Sequence, residues 1–224
     1  MIKTVNVSKK YFDESGEISA VNEVNLCIEN GSFVSIVGRS GSGKSTLLKM
    51  IGGLLHQTEG EIYIDNTNIY ELSENEMSAY RNKKFGFVFQ DFFLEELFTV
   101  YQNVEIALMI SKVPVRNRKE IIERTLNSVG LISKTDSVVK NLSGGEKQRV
   151  SIARALVNNP DIIFADEPCG NLDYENGDKI MTIFREQVAS GKTVVLVTHN
   201  QEDAKKTDRI ITLKDGRIVS DESN

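Results

Sequence analysis

Residues 38–46 read Gly-Arg-Ser-Gly-Ser-Gly-Lys-Ser-Thr and set the architecture around which the rest of the chain is organised. They match the pattern G-x-x-x-x-G-K-[ST], in which glycines let backbone N–H groups curl around phosphates. Lys44 adds a positive charge, and the Ser45 hydroxyl is suited to ligate Mg²⁺. We therefore predict a phosphate-binding loop over residues 38–46. Its predicted nucleotide contacts are Gly38, Ser40, Gly41, Gly43, Lys44, Ser45 and Thr46.

The segments on either side of this phosphate loop support the prediction. Residues 33–37 (Phe-Val-Ser-Ile-Val) are typical of a buried strand, and residues 47–51 (Leu-Leu-Lys-Met-Ile) are compatible with a helix. A strand before the loop and a helix after it place the phosphates at a helix N-terminus, where N–H groups and the helix dipole favour anions. This context argues against a flexible glycine-rich turn and predicts an α/β fold.

A second segment supplies acidic groups of the kind that phosphate chemistry needs. Residues 161–167 (Asp-Ile-Ile-Phe-Ala-Asp-Glu) predict a buried strand that carries two adjacent carboxylates at its C-terminal end, where α/β proteins bind ligands. Asp166 is suited to hold Mg²⁺, and Glu167 to orient or deprotonate the water that attacks a γ-phosphate. The alternative, an acidic strand end that faces solvent, is disfavoured by the matching phosphate loop.

Composition limits the classes of function that need to be considered. The chain has 224 residues, 40% of them hydrophobic, and a net charge of -5, which lacks the basic footprint of a nucleic-acid binder. No run approaches the ~18 apolar residues that a membrane span requires, and the start lacks the apolar core of a signal peptide. We expect a soluble cytoplasmic protein with no nucleic-acid partner. Cys27 and Cys169 lack metal-ligand spacing and are expected to be free thiols.

Hydrophobic patterns predict the order of elements along the chain. Alternation predicts antiparallel strands near residues 21–28 and 61–64, and residues 71–81 are helix-compatible. A buried strand is predicted over residues 85–89. The remaining predicted elements are helices over 100–107 and 118–129, separated by 111–115, and strands over 194–197, 210–213 and 218–219, the last two joined by a tight turn at Asp215-Gly216.

The segment Leu142-Ser143-Gly144-Gly145-Glu146, here called the signature segment, predicts a second anion site. Ser143 is suited to cap a helix that begins at Gly144, and the glycines Gly144 and Gly145 allow close backbone approach to an anion.

With these motifs in this order, the whole chain resembles the nucleotide-binding subunit of an ATP-binding cassette (ABC) transporter. The resemblance rests on the phosphate loop, Gln90, the signature segment, Asp166 and Glu167, the loop Gly170-Asn171-Leu172-Asp173, and His199. It implies ATP and Mg²⁺ as cofactors and a P-loop core of the RecA-like type, with an N-terminal antiparallel β layer and an inserted helical subdomain. One domain is expected over residues 1–224, with 1–90 and 160–224 forming the β layer and core and 91–159 a mainly helical lobe.

The resemblance also implies roles for single residues. Two chains would pack head to tail, so that each ATP lies between the phosphate loop of one chain and Ser143, Gly144 and Gly145 of the other. Asp173 would cross that interface, and Gln90 would ligate the metal and take part in catalysis. His199 would contact the γ-phosphate; a lone histidine is more often structural, but its position after a strand end, downstream of the acids, favours function. Tyr11 would stack on adenine, with ordinary aromatic packing as the alternative.

Within the family, the chain is similar to ATPases of the lipoprotein-release, macrolide-efflux and antimicrobial-peptide-export group. This similarity rests on residues 167–173 (Glu-Pro-Cys-Gly-Asn-Leu-Asp) and 85–90 (Phe-Gly-Phe-Val-Phe-Gln). The chain departs from it at Cys169, where threonine is usual, and at Glu146, where glutamine is commoner in the superfamily. A reactive Cys169 would make hydrolysis sensitive to thiol reagents, whereas a buried thiol would be inert.

Aromatic residues on both sides of Gln90 suggest where a partner binds. Six phenylalanines lie between residues 85 and 98, and we expect some of them to be exposed. Because this surface receives a short helix of the membrane subunit in the family, Phe92 and Phe93 are the candidate contacts. Phe85, Phe87 and Phe89 belong to the predicted strand and are expected to pack in the core. For Phe98, core packing and exposure are equally expected.

The resemblance therefore implies an ATPase on the cytoplasmic face of the cell membrane that drives a separate transmembrane permease, with export of a peptide, lipoprotein or drug-like substrate. Two alternatives are an ABC ATPase that regulates a membrane protein without moving cargo, and a soluble ABC ATPase that acts elsewhere. The second is disfavoured because the chain has one cassette and no extended heptads.

Overall fold

The computed structural model describes residues 1–13 and 16–224, and this part of the chain contains both strands and helices. The strands are β1 (Ile2–Asp13), β2 (Gly16–Ile28), β3 (Phe33–Val37), β4 (Glu59–Ile64), β5 (Thr67–Asn68), β6 (Phe85–Phe89), β7 (Ile162–Asp166), β8 (Thr193–Thr198), β9 (Arg209–Lys214) and β10 (Arg217–Ser223). The helices are α1 (Lys44–Ile51), α2 (Glu74–Lys84), α3 (Val100–Ile110), α4 (Val115–Ser128), α5 (Gly144–Leu156), α6 (Tyr174–Ala189) and α7 (Gln201–Ala204). The predicted α/β class is confirmed.

A six-stranded sheet in the order β10-β9-β3-β8-β7-β6 forms the centre of the molecule. The five strands from β9 to β6 are parallel, and only β10 runs antiparallel, beside β9. Parallel strands end at the same edge of their sheet, so the residues that follow β3, β6, β7 and β8 are brought together. Those residues are the phosphate loop, Gln90, Glu167 and His199.

Both faces of this sheet are buried, as β8 illustrates. Val194 and Leu196 point into a core shared with α3, α4, α5 and α6. Val195 and Val197 point into a second core, shared with α1 and the antiparallel sheet. Side chains alternate between faces along a strand, so a strand buried on both sides is apolar at every position. This explains the continuous apolar run over 194–197.

The second sheet is antiparallel, in the order β2-β1-β4-β5. It contains the strands predicted near residues 21–28 and 61–64. Tyr11 pairs with Ile18 across β1 and β2, so these two side chains share a face near the end of the hairpin where Asp13 pairs with Gly16. Both are exposed, and so is Phe12.

Local signals account for the helix ends. Ser73 and Glu76 form a capping box at the start of α2, as Thr99 and Gln102 do at the start of α3. The predicted break at residues 111–115 is one residue too long, because Val115 is already the first residue of α4 and Pro114 is its N-cap. Proline fixes φ and needs no N–H partner, which suits a helix start rather than its interruption.

The predicted turn at Asp215-Gly216 is confirmed, since Lys214 pairs with Arg217 and both turn residues have positive φ. Within residues 1–13 and 16–224, no helix combines the length and apolar character that crossing a membrane demands.

Candidate active site

A cavity of about 680 Å³ lies at the edge of the central sheet where β3, β7 and β8 end. Its walls are formed by residues of the phosphate loop together with Ala20, Gln90, Glu167 and His199. The structure thus brings together four groups of predicted site residues that are far apart in the sequence. The register of the parallel strands holds them there, because Val37 lies opposite Thr198, and Val197 opposite Asp166.

Lys44 is buried across the mouth of the phosphate loop, with 8% of its surface exposed. Its Nζ donates to the carbonyl oxygens of Gly38 at 3.0 Å and Arg39 at 3.1 Å. No carboxylate among residues 1–13 and 16–224 lies within ion-pair distance of it. A buried ammonium with only neutral partners is costly, so its charge is available to an anion. The cavity therefore suits a phosphate group.

Gly43 is the position where the phosphate loop depends most on glycine. Its φ is +99°, and a Cβ atom there would lie 2.1 Å from the carbonyl oxygen of Ala20. Any side chain would therefore clash with β2. Ala20, which lines the cavity, was not identified in the sequence, because its contribution comes from backbone position and not from residue type.

Ser45 and Asp166 are joined by a hydrogen bond in which the Ser45 hydroxyl donates to Oδ1 of Asp166 at 2.8 Å. Burial raises the pKa of Asp166, while this hydrogen bond and the charge of Lys49 oppose the rise. A hydroxyl and a carboxylate oxygen side by side, next to a phosphate-binding loop, are the kind of ligands that Mg²⁺ takes. The two residues fit a metal held jointly with phosphate oxygens.

Glu167 and His199 form a close pair at the cavity wall. Nδ1 of His199 lies 2.9 Å from each carboxylate oxygen of Glu167, and the exposed fraction of the His199 side chain is 68%. Glu167 has a φ of +49°, and its N–H donates to the carbonyl of Val197 at 2.9 Å. A glutamate with positive φ is strained, and such strain is concentrated at functional sites.

Gln90 lines the same cavity, and its side-chain amide is hydrogen-bonded to the neighbouring loop. Its Nε2 donates to Oδ1 of Asn171 at 3.1 Å. Of the three predicted metal ligands, the structure therefore joins Ser45 and Asp166 directly, and it holds the Gln90 side chain against Asn171 on the loop that follows Glu167.

The signature segment lies outside this cavity in its own chain. Ser143 caps α5 through a capping box with Glu146, whose carboxylate accepts from the Ser143 N–H at 2.9 Å and its hydroxyl at 3.0 Å. Gly144 is exposed. Gly145 is buried, and a Cβ there would lie 2.4 Å from Oδ1 of Asn176, so close packing within the chain also requires glycine at this position.

Asp173 and Tyr11 also lie apart from the cavity walls. The Asp173 carboxylate caps α6 by accepting from the N–H of Asn176 at 2.8 Å, and hydrogen bonds with Asn176 lower the pKa of Asp173. Tyr11 is 42% exposed, and the Lys9 ammonium lies 5.4 Å from its ring centroid. Its ring is therefore not part of a closed core.

The aromatic residues beside Gln90 divide into two sets. Phe85 is buried, and Phe87 and Phe89 are half-buried, in stacked or edge contacts with one another. Beyond Gln90, Phe93 is 67% exposed, Phe98 43% and Phe92 half-buried, and Leu97, which the sequence did not single out, is 78% exposed. The Arg154 guanidinium donates to the carbonyls of Phe92 and Phe93 and fixes this segment.

Cys27 and Cys169 are free thiols. Cys169 is half-buried beside α6, and burial raises the pKa of its thiol to about 12, with Asp203 adding to the rise. The environment is therefore that of an inert thiol.

Comparisons with known proteins agree with this geometry. The family profile described as ABC transporter matches residues 21–170. The ABC transporter ATP-binding protein YvrO of Bacillus subtilis is 40% identical over 222 residues, which cover 99% of this chain and 97% of YvrO. The macrolide export ATP-binding/permease protein MacB of Chlorobium phaeobacteroides is 45% identical over 222 residues, 99% of this chain and 34% of MacB.

A solved structure with the same fold is the dimeric post-hydrolysis state of the ATP-binding cassette MJ0796, bound to ADP and Pi. It superposes with a TM-score of 0.92 at 44% identity and covers 100% of this chain and 98% of that one. MJ0796 comes from Methanocaldococcus jannaschii.

Proposed function

The chain belongs to the ABC transporter family of ATP-binding proteins, and we propose that it hydrolyses ATP to drive a separate membrane permease. One observation carries this proposal: a single cavity gathers the phosphate loop, Gln90, Glu167 and His199 at the edge of the central sheet. A phosphate-binding loop opposite a carboxylate–imidazole pair is an arrangement for phosphoryl transfer to water.

Each residue of the cavity has a role in this proposal. The N–H groups at the start of α1 and the Lys44 ammonium hold the phosphates. Ser45 and Asp166 would hold Mg²⁺, and the carbonyl end of the Gln90 amide, whose nitrogen donates to Asn171, would complete the site. Bound Mg²⁺ neutralises charge on the phosphate oxygens.

The remaining chemistry belongs to two side chains. Glu167 accepts a hydrogen bond from the attacking water and orients it toward the γ-phosphate. His199, whose Nδ1 lies against the Glu167 carboxylate, sets the direction of that group and contacts the γ-phosphate. Tyr11 stacks on the adenine, near the end of the β1–β2 hairpin where Asp13 pairs with Gly16.

The position of the signature segment supports a homodimer. Ser143, Gly144 and Gly145 lie outside the cavity of their own chain, yet form a capped helix N-terminus suited to an anion. In the proposed dimer they face the ATP held by the partner, and Asp173 lies at the interface. The dimeric MJ0796 structures support this arrangement.

The proposed partner is a transmembrane permease that docks at the segment of Phe92 and Phe93, and it places this chain on the cytoplasmic face of the membrane. MacB supports the pairing, because its name joins an ATP-binding part to a permease and this chain spans about a third of it. A peptide, lipoprotein or drug-like molecule is the proposed cargo, and no nucleic acid is involved. The proposed lobes are residues 1–90 with 160–224, and 91–159.

The test is to capture a tagged Glu167→Gln chain from detergent-solubilised native membranes with ATP and Mg²⁺ present. A stoichiometric multi-span membrane protein is expected, and it should be lost in a matched Lys44→Ala capture. Recovery of ribosomes, of DNA-associated proteins or of the dimer alone would contradict the transporter proposal and favour a soluble ATPase. Cargo movement by reconstituted complex in vesicles then separates transport from regulation of the membrane protein.

A further inference from the structure

Gln148 lies on α5, the helix that begins at the signature segment, and none of its surface is exposed. A buried side-chain amide is costly unless its hydrogen-bonding groups have partners. Its position in the sequence indicates no role, since a glutamine four residues after Gly144 is unremarkable on a helix. Its contacts give it one.

The Gln148 amide nitrogen bridges two loops. Nε2 donates to the carbonyl oxygen of Phe89 at 3.2 Å and to that of Pro168 at 2.8 Å. Phe89 directly precedes Gln90, and Pro168 directly follows Glu167. One NH₂ group on the signature helix therefore holds the base of the loop that carries Gln90 and the base of the loop that carries Glu167.

The orientation of this amide is fixed by chemistry. Both neighbours are carbonyl oxygens, which only accept, so the NH₂ end must face them. Oε1 of Gln148 is then buried without a partner among residues 1–13 and 16–224. Leaving that oxygen unpaired is unfavourable, so the two bonds that the amide nitrogen donates are the polar interactions that stabilise a glutamine at this position.

A second link joins the same two loops nearer the cavity. Nε2 of Gln90 donates to Oδ1 of Asn171 at 3.1 Å, and Nδ2 of Asn171 lies 3.5 Å from the carbonyl oxygen of Gln90. Gly170 lies directly against this contact, since a Cβ there would be 3.1 Å from Nε2 of Gln90. The loops are thus tied at the base by Gln148 and at the rim by Asn171.

We propose that Gln148 and Asn171 are positioning residues that couple the two ATP sites of the dimer. The inference rests on the proposed function, in which α5 faces the partner's ATP while Gln90 and Glu167 serve the chain's own. When the N-terminus of α5 engages the partner's ATP, Gln148 moves the carbonyls of Phe89 and Pro168 with the helix. Asn171 makes Gln90 follow the loop of Glu167.

The experiment measures ATP hydrolysis by the full chain as a function of ATP concentration, for the unaltered chain, Gln148→Met and Asn171→Ala. Methionine keeps the length and volume of the glutamine side chain and removes both donors. Asn171 is exposed, so its truncation leaves the core intact. Binding of Mg²⁺-free ATP, measured by calorimetry, reports the phosphate loop separately.

In both variants we expect kcat to fall, by about tenfold in Gln148→Met. The Hill coefficient should fall toward about 1, because the coupling free energy between the two sites is lost. Mg²⁺-free ATP affinity should stay within about twofold, since uncoupled sites keep their own contacts. Ile152→Val is the matched control: it shortens a buried side chain on the same helix, and it should leave the Hill coefficient unchanged.

Several outcomes would overturn the coupling. The coupling would be overturned if Gln148→Met and Asn171→Ala both hydrolysed ATP with an unchanged Hill coefficient. It would also be overturned if their loss of kcat were no larger than that of Ile152→Val. A Hill coefficient near 1 in the unaltered chain would also contradict it. If Gln148→Met fails to fold, Asn171→Ala decides the question alone. Absence of hydrolysis in the unaltered chain would instead overturn the proposed function, and the coupling with it.

Discussion

The hydroxyl of Ser45 lies 2.8 Å from a carboxylate oxygen of Asp166, across 121 positions of sequence. Ser45 is on the first turn of α1, and Asp166 is the last residue of β7, two strands away from β3 in the sheet. The contact therefore requires the phosphate loop and the acidic strand end to be positioned by the same sheet. It also joins the two residues proposed to hold Mg²⁺.

Asp166→Asn should raise the Mg²⁺ concentration needed for half-maximal hydrolysis by about ten- to a hundredfold, the range seen when groups around a metal are altered. Asparagine keeps the shape and removes the charge. Mg²⁺-free ATP binding should change little, because Lys44 and the loop N–H groups are untouched. An unchanged Mg²⁺ requirement, measured by titration with an EDTA-buffered series, would remove Asp166 from the metal site.

Glu167→Gln should reduce kcat by about 10²–10⁴-fold, as expected for loss of a general base, while ATP binding persists and closed dimer accumulates. Lys44→Ala is the matched variant, since it should lose ATP binding and so form no ATP-dependent dimer. Steady-state hydrolysis and size-exclusion chromatography with ATP separate the two. Turnover at the unaltered rate in Glu167→Gln would refute the catalytic assignment.

Replacing Phe92 and Phe93 together by alanine should abolish co-purification of the membrane partner and leave the ATP affinity of the isolated chain unchanged. Phe93 is 67% exposed, and exposed aromatic side chains are the usual anchors of interfaces. Phe12→Ala is the control, because Phe12 is 73% exposed on the antiparallel sheet. Equal loss of partner and nucleotide binding in the double variant would rule out a specific docking role.

Arg209 and Asp221 join β9 to β10 through two contacts of 2.6 Å. Hydrogen bonding to Arg209 lowers the pKa of Asp221 from its ordinary 3.8. The pair therefore stabilises the fold above that value, and its contribution is lost as pH falls through the lowered pKa. Asp221→Asn should cost about 1 kcal/mol or less at pH 7, because the pair is partly exposed.

This prediction is checked by thermal unfolding of the unaltered chain and of Asp221→Asn at several pH values. The difference in Tm should be constant near neutrality and should vanish below the lowered pKa. Glu222→Gln, the neighbouring residue on β10, serves as the control. A difference in Tm that persists unchanged into acid would show that the pair does not act through the charge of Asp221.

Cys169 should resist alkylation. A thiol with a pKa of about 12 is thiolate in only about one part in ten thousand at pH 8. In a Cys27→Ser chain, where Cys169 is the sole thiol, iodoacetamide should leave both the intact mass and the ATP hydrolysis rate unchanged until urea is added. Rapid modification with loss of activity would mean that Cys169 is reachable and that hydrolysis is thiol-sensitive.

Local sequence patterns were sufficient to predict the structure where a single segment determines both its own secondary structure and the functional side chains that it carries. The strand–loop–helix around Lys44 and the apolar strand ending in Asp166 are of this kind, and β6 was predicted residue by residue. The start of α4 at Val115 was missed, because the prediction placed Pro114 and Val115 inside the break and began the helix at residue 118.

Contacts that depend on the order of strands in the sheet could not be predicted from the sequence. Nothing local places Ala20 against Gly43, or Asn176 against Gly145. The same holds for Gln148, whose two acceptors are 59 and 20 residues away and are both backbone atoms. Carbonyl groups carry no residue identity, so such contacts leave no trace in a motif.

The position of β3 has a consequence for how the molecule is made. In the central sheet, β3 pairs with β8 and β9 and with no strand that is synthesised earlier. A ribosome releases the amino-terminal end first, so the phosphate loop spends most of synthesis without the strands that anchor it. The phosphate loop therefore becomes able to bind a nucleotide late in synthesis, once residues 193–214 have left the ribosome. A product truncated before Thr193 would contain every residue of the phosphate loop and still lack the sheet that shapes it.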